Sequence, residues 1–211
     1  MIKLDLKGKI SKLSVILLFV AAAFTLGSAF APVWRIDLTA PQYPEGMVLY
    51  LAAMAGLDGG DGGNDLYTIH ELRHYVRMAQ MHPGDFWEFS VLPYLLIAFA
   101  ILFGVAAVMK SKKLSLAGLI VFGIFGIFGS IDSYHCTPVY RHNLSPDAPI
   151  KVPGMAYQPP IIGEKQLLNF DALSQPDLGG YLLIVSGLIL AFVVLKELGV
   201  FGWFKKDKAA A

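Results

Sequence analysis

The chain has 211 residues, 55% of them hydrophobic and 16% charged, with 17 Lys and Arg against 16 Asp and Glu and a formal net charge of +1. So little charge is too apolar a composition for a soluble domain, and the near-neutral balance gives no reason to expect a nucleic-acid partner, so the lipid bilayer is the expected solvent. The single cysteine, Cys136, excludes an internal disulfide and leaves a free thiol, a metal ligand or an intermolecular partner.

Four long apolar segments follow one another, near residues 13–30, 91–109, 114–131 and 180–195. A helix needs roughly 20 apolar residues to cross a hydrocarbon core about 30 Å thick, and only a helix satisfies its own backbone there. The expected fold is therefore an all-α integral membrane protein, a single membrane domain over residues 1–211. It has four transmembrane helices and two ordered extracytoplasmic loops, 31–90 and 132–179. Ala29-Phe30-Ala31 resembles a leader cleavage site, but the first segment is read as a retained helix. Gly118, Gly123, Gly126 and Gly129 in the third segment favour close helix packing.

Lysines set the orientation. Lys3, Lys7, Lys9 and Lys12 precede the first segment, Lys110, Lys112 and Lys113 fill the turn between the second and third, and Lys196, Lys205, Lys206 and Lys208 follow the fourth. The loops 31–90 and 132–179 hold 13 of the 16 acidic residues. The positive-inside tendency then places both termini in the cytoplasm and the two large loops on the outer face, with anionic lipid facing the lysines.

Within the first loop, Pro32 to Leu38 alternates apolar and polar residues and reads as a short strand or extended interfacial segment, with Trp34 as a headgroup anchor. Pro41 and Pro44 interrupt it, Met47 to Leu57 reads as a surface helix, and Asp58-Gly59-Gly60-Asp61-Gly62-Gly63-Asn64 reads as a flexible turn. That turn lacks the acidic spacing and distal glutamate of a calcium loop. Asp65 to Met81 reads as a helix capped by Asp65, placing His70, His74, Arg77, Met78 and Met81 on one face. In the second loop, Pro146, Pro149, Pro153, Pro159 and Pro160 predict a stiff, irregular course.

All five histidines, the one cysteine and five of the seven methionines fall in the two loops. Imidazole with thioether or thiolate suits copper(I), and His74 and Met78, four residues apart on a helix, can converge on one ion. The plainer reading makes the methionines gap fillers and the histidines backbone hydrogen-bonders. His70-Glu71-Leu72-Arg73-His74 matches the bare zinc-protease pattern, but no third ligand stands at a family distance. Without Cys-x-x-Cys-His, a haem could be held only noncovalently. Essentially no charge lies within the apolar segments, which argues against a pump or transporter acting alone.

Pro32-Val33-Trp34-Arg35-Ile36-Asp37-Leu38-Thr39-Ala40-Pro41-Gln42-Tyr43-Pro44-Glu45-Gly46 resembles a stretch of the small four-helix membrane proteins encoded in bacterial nitrous oxide reductase gene clusters, the NosB type. His74-Tyr75-Val76-Arg77-Met78 is similar to that family's Asn-His-Tyr-Ile-Gly-Met element. His142-Asn143-Leu144-Ser145-Pro146 is similar to its His-Asn-Leu-Asp-Pro element, and Pro153 to Pro160 through Asn169-Phe170 to its proline-rich stretch. The resemblance implies a role near copper: assembly of, copper delivery to, or electron supply for a periplasmic copper enzyme. It matches at His74, Tyr75, Met78, His142 and Met155 and supplies no histidine at position 70, against the zinc-protease reading.

The expected function is thus a non-enzymatic accessory protein of a periplasmic copper or respiratory enzyme, with a copper site from His74, Met78, His142 and Met155. The alternatives are a structural subunit of a respiratory membrane complex with no metal of its own, or an electron-transfer subunit with haem or quinone near His70 and His135. The expected partners are the lipid bilayer and other membrane or periplasmic respiratory proteins.

Overall fold

The computed structural model describes residues 8–75, 87–142, 160–167 and 170–200. The chain divides into two compact units. One comprises Met1–Ser28, Tyr94–Ile127 and Tyr181–Ala211, the other Ala29–Pro93 and Phe128–Gly180.

The first unit is helical. It is built from α1 (Lys12–Ser28), most of α3 (Trp87–Val108), the first half of α4 (Lys112–His142) and most of α5 (Leu178–Glu197). α2 (Asn64–Tyr75) belongs to the other unit. The buried residues of α1 are Ser14, Leu18, Ala21, Thr25 and Ser28, a four-three-four-three spacing that keeps one narrow seam facing its neighbours. Most of that seam is small or hydroxyl-bearing, which lets helices approach closely. Across it the Thr25 hydroxyl donates to Ser186 Oγ at 3.0 Å, and Ser186 donates to the Ala21 carbonyl at 2.8 Å. Between α3 and α4 the contact is aromatic: Phe99 and Phe122 meet edge to face at 5.2 Å and Phe103 and Phe122 at 5.5 Å.

Meanwhile Ile16, Phe19, Ile101, Ile120, Ile124, Ile184 and Leu188 stand exposed. An outward-facing apolar surface of this kind, around an interior that combines the hydroxyl bonds with Leu18, Phe103 and Leu190, suits a hydrocarbon solvent.

The second unit overturns the all-α, four-transmembrane-helix expectation. It contains a five-stranded antiparallel sheet in the order β3-β2-β1-β5-β4, making the fold a mixed α and β one. The strands are β1 (Pro32–Ala40), β2 (Tyr43–Ala52), β3 (Gly56–Gly59), β4 (Gly163–Leu167) and β5 (Phe170–Pro176). The span count also falls. Among the described residues three helices are long and apolar enough to cross a membrane, Ser90–Val108, Lys112–Ile131 and Leu178–Glu197. α1, at 17 residues, is a shorter apolar helix. At 1.5 Å per residue it rises about 26 Å, less than the roughly 30 Å of a hydrocarbon core.

Other boundaries shift for local reasons. Met47 to Leu57, expected as a surface helix, is strand, turn and strand: Met47 and Leu49 are buried while Val48 and Tyr50 are half-buried, the two-residue period of a strand. Pro41 and Gln42 make the turn between β1 and β2, and Pro44 sits exposed within β2. α4 continues to His142 without a break at Ile131, a length of 31 residues. Of the glycines expected to mark close packing, a Cβ on Gly118 would lie 3.3 Å from Phe103. One on Gly123, Gly126 or Gly129 would meet nothing within 4 Å.

The start of α5 is tied to the start of β1. Asp177 N–H donates to the Val33 carbonyl at 3.2 Å, and the Asp177 carboxylate accepts from Leu178 N–H at 2.7 Å. A Cβ on Gly179 would press on the Ala31 and Pro32 carbonyls, and one on Gly180 on the Val33 carbonyl. Since the opposing atoms are backbone, they cannot swing aside. Gly180→Ala is therefore expected to destabilise the protein by about 1–3 kcal/mol, read as a fall in the thermal unfolding midpoint in detergent. Gly104→Ala, where the added Cβ meets nothing within 4 Å, is expected to leave the midpoint unchanged or raise it slightly.

Candidate functional site

The sheet joins the two expected loops, because β1, β2 and β3 come from the first and β4 and β5 from the second. The joint is the β1–β5 ladder, which pairs Trp34 with Pro176, Ile36 with Ser174, Leu38 with Ala172 and Thr39 with Asp171. Alternation then sorts β1 into two faces. Ile36 and Leu38 share one with Met47, Leu49, Leu51 and Leu57, and this face packs against Leu66 and Ile69 of α2 (Asn64–Tyr75). Arg35 and Asp37 occupy the other.

α2 is held on the sheet by its first turn. β3 ends at Gly59, but the ladder is prolonged by other groups: Gly60 N–H donates to the Val48 carbonyl at 2.9 Å, and Val48 N–H donates to Asp65 Oδ2 at 3.0 Å. Asp65, expected as the cap of its own helix, serves β2 instead. The Gly-rich run before it is a built turn, since a Cβ on Gly59 would collide with Leu66 and one on Gly60 with the Asp65 carboxylate. Asp58 Oδ1 accepts from Gly59 N–H at 2.9 Å. Asp58, one of the two acidic residues of that run, is thus engaged with backbone.

On the opposite face one carboxylate oxygen gathers three donors. Asp37 Oδ2 accepts from Arg35 Nε at 3.0 Å, from the guanidinium NH2 at 2.9 Å and from Gln175 Nε2 at 3.3 Å. Hydrogen bonding to Asp37 raises the Arg35 pKa further above its ordinary value, against the opposing effect of burial, so the guanidinium stays charged. The pair is half-exposed and cross-braces β1 and β5; an ion pair so placed contributes at most about 1 kcal/mol.

A more protected link lies along the covered face. Trp34 Nε1 donates to Ser174 Oγ at 2.8 Å, and Ser174 Oγ donates to the Ile161 carbonyl at 3.0 Å. Ser174 is 1% exposed. Trp34, expected as a headgroup anchor, thereby clamps residue 161 and β5 to β1. Sequence reasoning missed Ser174, as it missed Gln175 and the use made of Asp65, because their partners are remote in the chain.

Of the four expected copper ligands, His74 is the penultimate residue of α2 and His142 the last residue of α4. The side chains of both lie outside the described residues, as do Met78 and Met155 entirely, and the side chains of His70 and His135. The backbones of His74 and His142 belong to the same unit, the one that contains the sheet. Among the described residues no group of three or more His, Cys, Asp or Glu side chains is gathered to hold a metal ion. No protein-family model matches the chain, and no curated protein is significantly similar to it.

The Trp34–Ser174 bond gives a sharp expectation. Ser174→Ala leaves a protected indole N–H without its acceptor and is expected to cost about 1–3 kcal/mol of stability. In denaturant unfolding, Trp34→Phe is expected to cost less in the Ser174→Ala background than in the wild type, a coupling of about 0.5 kcal/mol or more.

Proposed function

We propose that the chain is a non-enzymatic membrane accessory protein of a periplasmic copper or respiratory enzyme system. Its long apolar helices anchor it in the bacterial inner membrane, its lysine-rich ends lie on the cytoplasmic side, and its sheet unit faces the periplasm. In this reading His74 and Met78 from the first loop, with His142 and Met155 from the second, bind copper(I), whose soft character matches imidazole and thioether donors.

The observation that carries the reading is the β1–β5 ladder, which makes one body of two loops that a bundle of independent hairpins would leave separate. α2, which ends one residue after His74, is fastened to that body by Asp65 and by Leu66 and Ile69. The resemblance of Pro32–Gly46 and of the His142 and Pro153 stretches to NosB-type proteins supports the copper connection. The exposed isoleucines, leucines and phenylalanines of the helical unit support the membrane anchor.

A second reading, a structural subunit that docks a respiratory partner and binds no metal, is favoured by one feature. Asp37, Asp58, Asp65 and Ser174 all serve to brace the sheet and its α2 turn.

Elemental mass spectrometry of the detergent-purified protein after anaerobic copper(I) loading and buffer exchange separates the two. The copper reading expects near-stoichiometric copper in the wild type and at least a ten-fold loss of affinity in His74→Ala, Met78→Ala, roughly 1.4 kcal/mol or more. Wild-type protein that remains free of copper after loading would leave the structural subunit as the better reading.

A further inference from the structure

Three chain segments converge at one end of the helical unit. Lys9 and Ser111 form an isolated antiparallel bridge, and Ile10 N–H donates to the Lys110 carbonyl at 3.0 Å, so the segment entering α1 is stitched to the turn between α3 and α4. The C-terminal end of α5 joins them. Lys196 Nζ donates to Ser11 Oγ at 2.7 Å, and Glu197 Oε1 accepts from Ser11 N–H at 3.1 Å and from Ser14 Oγ at 2.6 Å.

This stitching gathers charge of one sign. Lys9, Lys12, Lys110, Lys112, Lys113 and Lys196 are the described cations of the unit, and all stand at this end. Glu197 is the only described carboxylate of the unit; its side chain is 12% exposed, accepts from Ser11 N–H and Ser14 Oγ, and stands 3.8 Å from Lys196 Nζ. Lys9, Lys12, Lys110 and Lys113 are exposed. Neither α1 nor α4 has an acidic residue in its first turn, although both begin here and a helix N-terminus favours negative charge. Among the described residues six lysines thus stand with one carboxylate at this end of the unit, beside helices apolar enough to cross a membrane.

We infer that this end binds the phosphate headgroup of an anionic phospholipid, with Lys9, Lys110 and Lys113 as its principal cations. The backbone bridge fixes the first two segments side by side, so the site is a preformed headgroup seat, and the exposed apolar flanks of the helices accommodate the acyl chains. The inference rests on the membrane anchoring in the proposed function and is independent of its copper site. Retention of the chain in membranes washed with alkaline carbonate reads the anchoring separately.

The test is native mass spectrometry of the full chain in detergent, titrated with phosphatidylglycerol or with phosphatidylcholine of the same acyl chains. The variant is Lys9→Gln, Lys110→Asn, Lys113→Gln. Asparagine is used at 110 because Lys110 has φ of +50°, a conformation asparagine tolerates. Wild type is expected to retain phosphatidylglycerol over phosphatidylcholine. Each lysine removed should weaken phosphatidylglycerol binding roughly five-fold and the triple variant on the order of a hundred-fold, with phosphatidylcholine binding unchanged.

Should the triple variant lose its thermal unfolding transition, Lys113→Gln alone is read, with the five-fold loss expected. Equal retention of the two lipids, or variants that bind phosphatidylglycerol like wild type, would overturn the inference. So would displacement of phosphatidylglycerol by millimolar inorganic phosphate, which would assign the lysines to a free anion.

Discussion

The pairing of β1 with β5 is the constraint on which the sheet unit depends. Without it β1, β2 and β3 form a meander with a bare edge at β1, β4 and β5 form a lone hairpin, and an isolated hairpin is marginal in water. With it, six registered residue pairs close a five-stranded sheet. The Trp34–Ser174 bond spans 140 positions of sequence within that closure. Closing so long a loop is entropically costly but only logarithmically so. The residues that line the seam serve it on both faces: Ile36, Leu38 and Ala172 toward α2, and Arg35, Asp37 and Gln175 on the other side.

The helical unit obeys a different solvent rule. Thr25, Ser28 and Ser186 are fully buried and hydrogen-bonded beside an apolar core of Leu18, Phe103 and Leu190, while further isoleucine, leucine and phenylalanine side chains face outward. In water such a surface would aggregate; in hydrocarbon it is neutral, and buried hydroxyl bonds add to van der Waals packing in holding helices together. One chain therefore carries two kinds of core. Leu38, Met47, Leu49 and Ile69 make a wholly apolar one, and in the helical unit buried hydroxyl bonds run beside Leu18, Phe103 and Leu190.

What was legible in the sequence follows from this division. The apolar segments near 91–109, 114–131 and 180–195 announce their helices by composition alone, and Pro32–Leu38 shows its strand by alternation. Met47 to Leu57 was misread because a short apolar run suits either a helix or a strand. The alternation of Met47 and Leu49 with Val48 and Tyr50 is the signal that decides it. β4 and β5 were missed because Glu164, Lys165 and Gln166 look like loop, and only pairing with β1 makes strands of that segment. For the candidate site, the sequence named side chains by type, and the fold adds that α2 and the end of α4 belong to one unit with the sheet. The residues that brace that unit, Asp65 and Ser174, are invisible to local patterns because Val48 and Trp34 lie far from them in the chain.

That the two loops form one sheet is the claim on which the functional reading stands, and a cysteine pair across the joint tests it most directly. Thr39 and Asp171 are opposite one another in the β1–β5 register and both are exposed. In a Cys136→Ser background, Thr39→Cys with Asp171→Cys is expected to form an intramolecular disulfide in native membranes, because directly opposed strand residues lie within bridging distance. Thr39→Cys with Gln175→Cys, four residues further along β5 and so roughly 13 Å away, is expected to form none. Equal cross-linking of both pairs, or of neither, would contradict the register and with it the joining of the two loops.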